Sequence, residues 1–115
     1  MRAPAIFFLA VSLAASAPAF AAARHDRAAQ RGARLAVASC ASCHAVGRTD
    51  SSQNPKSPAF RDIAANYEEH SLQKKLTEID ETGHYDMPPI QLHTNQINDL
   101  IAYFNRLNRQ ANGAR

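Results

Sequence analysis

Two cysteines and a histidine lie together in the segment Cys40-Ala41-Ser42-Cys43-His44, which has the spacing Cys-x-x-Cys-His. Thiols three residues apart on one helical turn can each form a thioether with one of the two vinyl groups of a haem. The following histidine then presents an imidazole nitrogen, a strong ligand for iron, from the same face of the turn. The motif therefore predicts covalent attachment of one haem c through Cys40 and Cys43, with His44 as an axial ligand of the iron.

A thiol–disulfide redox pair and a zinc site are the other chemistries of a Cys-x-x-Cys motif. The redox pair usually follows a strand of a βαβ unit, and no alternating strand pattern is present in this sequence. A zinc site needs further ligands at matched spacing, whereas the remaining histidines are scattered at positions 25, 70, 84 and 93. The surrounding sequence therefore favours haem attachment over both alternatives.

The first 21 residues have the pattern of a secretory signal. Arg2 precedes the apolar run Ala3–Ala15, and Ala19-Phe20-Ala21 matches the small-x-small rule for cleavage. The apolar run is shorter than the roughly 20 residues that span a bilayer, and an uncleaved membrane anchor is the alternative. We predict a signal peptide over residues 1–21, with cleavage after Ala21 or Ala23, a mature domain over 22–115 and a periplasmic location.

Size and composition limit what the mature domain can be. The whole chain has 115 residues, a formal net charge of +3, no tryptophan and two cysteines. Two cysteines exclude a dense disulfide framework, and a domain of this size has a thin core that a large buried cofactor would complete. Because the charge is mild and no basic run exceeds the pair Lys74-Lys75, nucleic acid is not an expected partner.

The mature chain predicts an all-α protein in which helices alternate with loops. Residues 47–58 are rich in turn formers, and Pro88 and Pro89 deny helix to the segment 84–93. The predicted helices, in chain order, are Arg27–Ser39 with Asp26 as the N-cap, Pro58–Tyr67, Ser71–Glu81 stopped by Gly83, and a last helix capped by Thr94 and ended by Asn112-Gly113.

The attachment motif follows a helix that contains Gly32, and the last helix contains the segment Asp99–Phe104. Both features resemble class I cytochromes c, in which the first and last helices cross near a right angle. A glycine at the crossing lets the two backbones approach because it has no Cβ. The resemblance implies a class I cytochrome c fold around one haem, with Gly32 packed against Leu100 and Tyr103.

The resemblance also implies a second axial ligand. Met87, in the segment Tyr-Asp-Met-Pro-Pro, resembles the methionine of the family's axial loop, where a thioether sulfur raises the reduction potential of the iron. A core methionine is the alternative role for Met87. His84 or His93 could instead bind the iron and give a bis-histidine haem.

Pro58 resembles the family proline whose carbonyl accepts the proton on the far nitrogen of the axial histidine, which orients the ring. Pro55 competes for this role, and Ser57 stands where the family usually has glycine. The residues expected either to line the haem pocket or to pack in the core are Phe60, Ile63, Leu72, Leu76, Leu92, Ile97 and Phe104.

These expectations define a function. With both axial positions filled, the protein is expected to be a monomeric one-electron carrier and not an enzyme, exchanging electrons transiently with redox partner proteins and having no stable membrane insertion after signal cleavage. The alternatives are a gas- or peroxide-binding haem protein with a labile sixth ligand, and a dedicated haem subunit of a dehydrogenase or oxidase. Five basic residues are hypothesised to frame the haem edge and steer an acidic partner: Arg48, Lys56, Arg61, Lys74 and Lys75.

Overall fold

The computed structural model describes residues 17–83 and 87–114 of the chain. Within these two ranges the protein has four α-helices and no strand, which confirms the predicted all-α class. The helices are α1 (Ala17–Ser39), α2 (Phe60–Asn66), α3 (Glu69–Thr82) and α4 (Thr94–Gly113).

Helix α1 ends at Ser39 as predicted but begins ten residues before the predicted start at Arg27. Asp26 therefore lies inside the helix and does not cap it, so this prediction was wrong. The physical reason is that alanines dominate residues 17–23, and alanine has the highest helix propensity of all residues. The predicted cleavage sites after Ala21 and Ala23 fall within this helix, and residues 1–16 lie outside the described ranges.

The two short helices occur where the sequence predicts them, with shifted ends. Helix α2 starts at Phe60 instead of Pro58, because Ala59 keeps an extended conformation as the N-cap. Helix α3 starts at Glu69 instead of Ser71, and it stops before Gly83 as predicted. Gly83 has a φ of +65° and donates its N–H to the carbonyl of Ile79 at 3.0 Å, which closes the last turn.

The start of α4 corrects a second capping prediction. Thr94 is the first helical residue, and His93 is the N-cap. The backbone N–H of His93 donates to Oε1 of Gln96 at 2.8 Å. A side chain from the first turn of α4 therefore accepts the N–H of the N-cap residue. The helix ends at Gly113, as the Asn-Gly pair predicts.

Helices α1 and α4 form the main packing contact of the fold, and Gly32 lies at its closest point. A Cβ placed on Gly32 would overlap the carbonyl oxygen of Asp99 and lie 3.0 Å from the backbone nitrogen of Leu100. The predicted approach to Leu100 is therefore present, and Asp99, rather than Tyr103, is its nearest neighbour. Arg31 clamps the same point by a bidentate pair to Asp99, with Nε–Oδ2 and Nη2–Oδ1 distances of 2.8 and 2.6 Å.

Helix α4 also anchors the loop that follows the attachment motif. The buried hydroxyl of Tyr103 donates a hydrogen bond of 2.5 Å to the carbonyl of Val46. Burial raises the pKa of this phenol, so it keeps its donating proton well into the alkaline range. The hydrogen bond fixes the chain two residues after His44 to the last helix.

None of the helices within the described ranges is long and apolar enough to cross a membrane.

Candidate haem site

The attachment motif forms a tight turn directly after α1. The N–H of Cys40 still donates to the carbonyl of Ala36 at 2.9 Å, and the carbonyl of Cys40 then accepts the N–H groups of Cys43 and His44 at 3.1 and 2.9 Å. The turn leaves Cys40 half-buried and Cys43 exposed, and neither residue is in a disulfide. It therefore presents one thiol toward the interior and one at the surface, three residues apart in the sequence.

Burial raises the pKa of the Cys40 thiol to about 11. Its surroundings thus disfavour the charged thiolate. They accept a neutral thioether without such a cost, because a thioether has no charge to desolvate. The environment of Cys40 is consistent with a sulfur that is held in a covalent bond.

The imidazole of His44 is oriented by the backbone of Pro58. Nδ1 of His44 lies 2.7 Å from the carbonyl oxygen of Pro58, so Nδ1–H donates and the lone pair of Nε2 remains available to a metal. The ring is buried and lies beside Phe60, whose ring centroid is 5.6 Å away. Phe60 in turn stacks on Phe104 of α4 at 4.6 Å. The structure therefore uses the carbonyl of Pro58, and not that of Pro55, to hold the histidine.

The loop between the motif and α2 holds Pro58 in place by hydrogen bonds to the residues around His44. The N–H of Phe60 donates to the carbonyl of Ala45 at 2.8 Å, and the hydroxyl of Ser52 accepts the N–H of Ala45 at the same distance. The N–H of Asn54 donates to the carbonyl of Cys43 at 3.1 Å. These bonds make the turn and the Pro58 carbonyl one local unit.

Four of the five predicted site residues, Cys40, His44, Pro58 and Met87, line one cavity of about 600 Å³. Such a volume lies within the usual range of cofactor and small-molecule pockets. Cys43 does not line the cavity itself. Six of the seven expected wall residues line it, whereas Ile97 lies in the packed core. The wall residues are Phe60, Ile63, Leu72, Leu76, Leu92 and Phe104.

Several cavity residues were not among the expected wall residues, and they come from three parts of the chain. Ile79 shares the α3 face of Leu72 and Leu76, so its helical spacing could have indicated it. Leu100 was expected only at the helix crossing, yet it also reaches the cavity. Ile90 lies in the loop after Met87, where no periodic pattern points to a partner.

The loop that carries Met87 is fixed at both ends to α3. At its start, Gly83 packs so closely against the Met87 carbonyl that a Cβ there would overlap it, and would lie 3.0 Å from the nitrogen of Pro89. At its far end, the N–H of Leu92 donates to Oδ1 of Asp80 at 2.6 Å. Met87 itself is half-buried. Gly83 and Asp80 are thus positioning residues for Met87, and the sequence indicated Gly83 only as a helix stop.

We expect Gly83→Ala to weaken the hold on Met87. The substitution places a Cβ in a backbone region that only glycine occupies readily, at a cost of about 1–3 kcal/mol, and it also collides with the loop. The absorption band that reports sulfur–iron ligation in the ferric protein should lose intensity while the haem stays attached. Gln91→Ala, at an exposed position of the same loop, is the matched control and should leave the band intact. If Gly83→Ala keeps the full intensity of this band, Gly83 does not position Met87.

The other histidines are not placed to bind a metal in this cavity, as far as the described residues show. His25, His70 and His93 are exposed, and none of them lines the cavity. His84 lies outside the described residues, so its role as an alternative ligand stays a prediction. Among residues 17–83 and 87–114, no group of three or more histidine, cysteine or acidic side chains forms another candidate metal site.

Two of the five basic residues that were expected to frame the haem edge line the cavity. Lys56 and Lys75 line the cavity, but Lys75 donates to Glu78 at 2.9 Å, and Glu78 lines the cavity as well. Lys74 lies 4.0 Å from the same carboxylate, and Arg61 donates to the carbonyl of Asp50. The role of the five residues in framing a haem edge and steering a partner stays a prediction.

The family model that matches this chain covers the residues of the site described above. A model described as cytochrome c matches residues 29–108, from the first helix to the last. The chain belongs to the cytochrome c family. Members of this family carry covalently attached haem c, and Cys40, Cys43 and His44 of this cytochrome match its Cys-x-x-Cys-His motif. No curated protein and no solved structure matched the chain.

The residues of this cytochrome fit haem c. The cavity is walled mainly by aliphatic and aromatic side chains, which suits the apolar porphyrin. His44 is already in the tautomer that leaves Nε2 to the iron, and Met87 offers a thioether in the same cavity. The polar groups that also line it include Lys56 and Tyr67, which would offer hydrogen-bond donors to the carboxylates of a haem.

Proposed function

We propose that this cytochrome is a one-electron carrier whose haem c is attached to Cys40 and Cys43 and bound axially by His44 and Met87. The observation that supports this assignment is that Cys40, His44 and Met87 line one apolar cavity, with His44 oriented by Pro58. Haem c supplies a reversible Fe(II)/Fe(III) couple when it is bound.

The residues around the cavity favour electron transfer over a reaction that makes or breaks covalent bonds. His44 is held by a hydrogen bond and by packing on Phe60, and the Met87 loop is held by Gly83 and Asp80. Ligands that are fixed in both redox states need little rearrangement when the charge of the iron changes. A site with two protein ligands leaves no position for oxygen or peroxide, so the protein exchanges electrons with redox partner proteins and is not an enzyme.

The proposal includes export from the cytoplasm. The apolar run after Arg2 and the Ala-Phe-Ala sequence support a signal peptide over residues 1–21, and covalent haem attachment in bacteria takes place outside the cytoplasm. The mature cytochrome of residues 22–115 is then a periplasmic monomer that meets its donor and acceptor transiently. Edman sequencing of the exported protein tests this part, and a start at Ala22 or Arg24 is the expected result.

Carbon monoxide binding tests the axial ligation and thereby the function. We expect the reduced, untreated protein to give a low-spin c-type spectrum that carbon monoxide leaves unchanged, and to show reversible one-electron oxidation in a redox titration. Mild acid or denaturant is the positive control, because we expect it to release the Met87 loop and open the iron to the gas. Ready binding to the untreated protein would instead indicate a labile sixth position and a gas- or peroxide-binding role.

A further inference from the structure

The positive charge of this protein is concentrated on one short segment of α1. Residues 24–34 contain four arginines, at positions 24, 27, 31 and 34, and a single acidic residue, Asp26. Residues 35–115 contain eight lysines and arginines against nine aspartates and glutamates, which leaves that long remainder slightly negative. The net charge of the domain therefore comes from eleven residues of one helix.

The four arginines form a single exposed stripe, which we name the arginine face. Their spacing of three, four and three residues places them on one side of α1. All four are exposed, while Ala29, Gly32 and Ala36 of the same helix are buried against α4. At a rise of 1.5 Å per residue, the arginine face is about 15 Å long.

The arginine face borders a shallow cleft of about 520 Å³ between α1 and the start of α4. Arg24 and Arg27 line the cleft from one side, and Asn95 and Asn98 provide amide donors from the other. The one carboxylate in the cleft, Asp99, has both oxygens bound to Arg31. The cleft thus offers N–H donors and positive charge, which suits the phosphate of a headgroup.

An excess of negative charge lies on α3. Helix α3 and its N-cap Glu68 carry five acidic residues and two lysines. Helix α3 lines the cavity, packs on α4 and makes no contact with α1 within the described residues. An anionic surface therefore attracts the side of α1 that carries the arginine face and repels α3.

We propose that the arginine face docks this cytochrome on a surface of anionic phospholipid, with headgroup phosphates bound in the cleft between α1 and α4. A row of charges along one side of a helix fits a flat, uniformly charged surface. Between Arg24 and Arg34 the sequence has no Trp, Tyr or Phe, and protein interfaces usually pair their arginines with such aromatic anchors. Binding of this kind is peripheral and electrostatic, and it leaves the haem cavity free for a redox partner.

Sedimentation with vesicles tests the proposal on the haem-loaded protein, followed by haem absorbance. We expect binding to vesicles containing roughly a third phosphatidylglycerol to exceed binding to pure phosphatidylcholine, and to fall as salt is raised. The triple variant Arg24→Gln, Arg27→Gln, Arg34→Gln should lower the affinity for the anionic vesicles about 100-fold. Arg31 is left in place because its pair with Asp99 holds the helix crossing.

The matched control removes three positive charges elsewhere, by Arg48→Gln, Lys74→Gln and Arg109→Gln at exposed positions. It should weaken vesicle binding by less than about threefold, because these side chains lie outside the arginine face. If both triple variants lose the same affinity for anionic vesicles, net charge alone explains the binding, and the proposal is overturned. Equal binding to neutral and anionic vesicles would overturn it as well. So would a protein that binds polyglutamate through the arginine face but does not bind the vesicles.

Discussion

The variant Met87→Ala is expected to lose the sulfur–iron absorption band of the ferric protein and to have a markedly lower reduction potential. The thioether is a soft ligand that favours ferrous iron, and its removal leaves a water or a nitrogen donor in its place. We expect the reduction potential to fall by on the order of 0.1–0.3 V. Differences in axial ligands change haem potentials over a range of about 0.8 V. Spectroscopy of both oxidation states and a redox titration measure the two effects.

Two histidine variants serve as controls for this experiment. His93→Ala should leave the spectrum and the potential unchanged, because His93 is exposed at the start of α4 and does not line the cavity. His84→Ala tests the alternative ligand directly. If the band persists in Met87→Ala, or if the spectrum responds to His84→Ala instead, the assignment of Met87 as an axial ligand fails and Met87 becomes a core residue.

The variant Gly32→Ala is expected to destabilise the protein strongly, although alanine is ordinarily the better residue inside a helix by about 1 kcal/mol. The added Cβ would overlap the carbonyl oxygen of Asp99 and lie 2.6 Å from its carbonyl carbon. Backbone atoms cannot rotate away as a side chain can, so α1 and α4 must separate at their closest point. We expect a loss of about 3 kcal/mol in the free energy of unfolding, the upper end of the usual cost of overpacking.

Thermal or denaturant unfolding of the haem-loaded protein measures this loss, which corresponds to a drop in Tm on the order of 10–20 °C for a domain of this size. Gly113→Ala is the matched control, because a Cβ added at the last residue of α4 meets nothing within 4 Å. It should leave stability unchanged or slightly raised. A Gly32→Ala protein as stable as Gly113→Ala would show that the helices can shift without cost, contrary to the close crossing seen in the structure.

Much of the local organisation follows from the sequence alone. The Cys-x-x-Cys-His motif specifies its own chemistry, because the attachment needs those residue types at that spacing on one turn. Gly83 stops α3 because a residue with positive φ ends a helix readily. The resemblance to class I cytochromes c implied the role of Gly32 at the helix crossing, where a residue without a Cβ lets two backbones approach.

Helix starts were less predictable than helix ends. Asp26 and Thr94 are residue types that favour an N-cap, yet Asp26 lies within α1 and the cap of α4 is His93. In α1, the preceding alanines extend the helix past Asp26 at little cost. In α4, Gln96 satisfies the N–H of His93, so the helix begins one residue earlier than the threonine implied.

Only the tertiary structure decided which distant segments meet. The sequence left Pro55 and Pro58 as alternatives, and the fold selects Pro58 through a hydrogen bond to His44. The ion pair of Arg31 with Asp99 and the hydrogen bond from Tyr103 to Val46 join residues 68 and 57 positions apart. Spacing along the chain determines which groups share one turn of a helix. Contacts between turns depend on how α1, α3 and α4 pack, because packing sets the distances and burial that no local pattern contains.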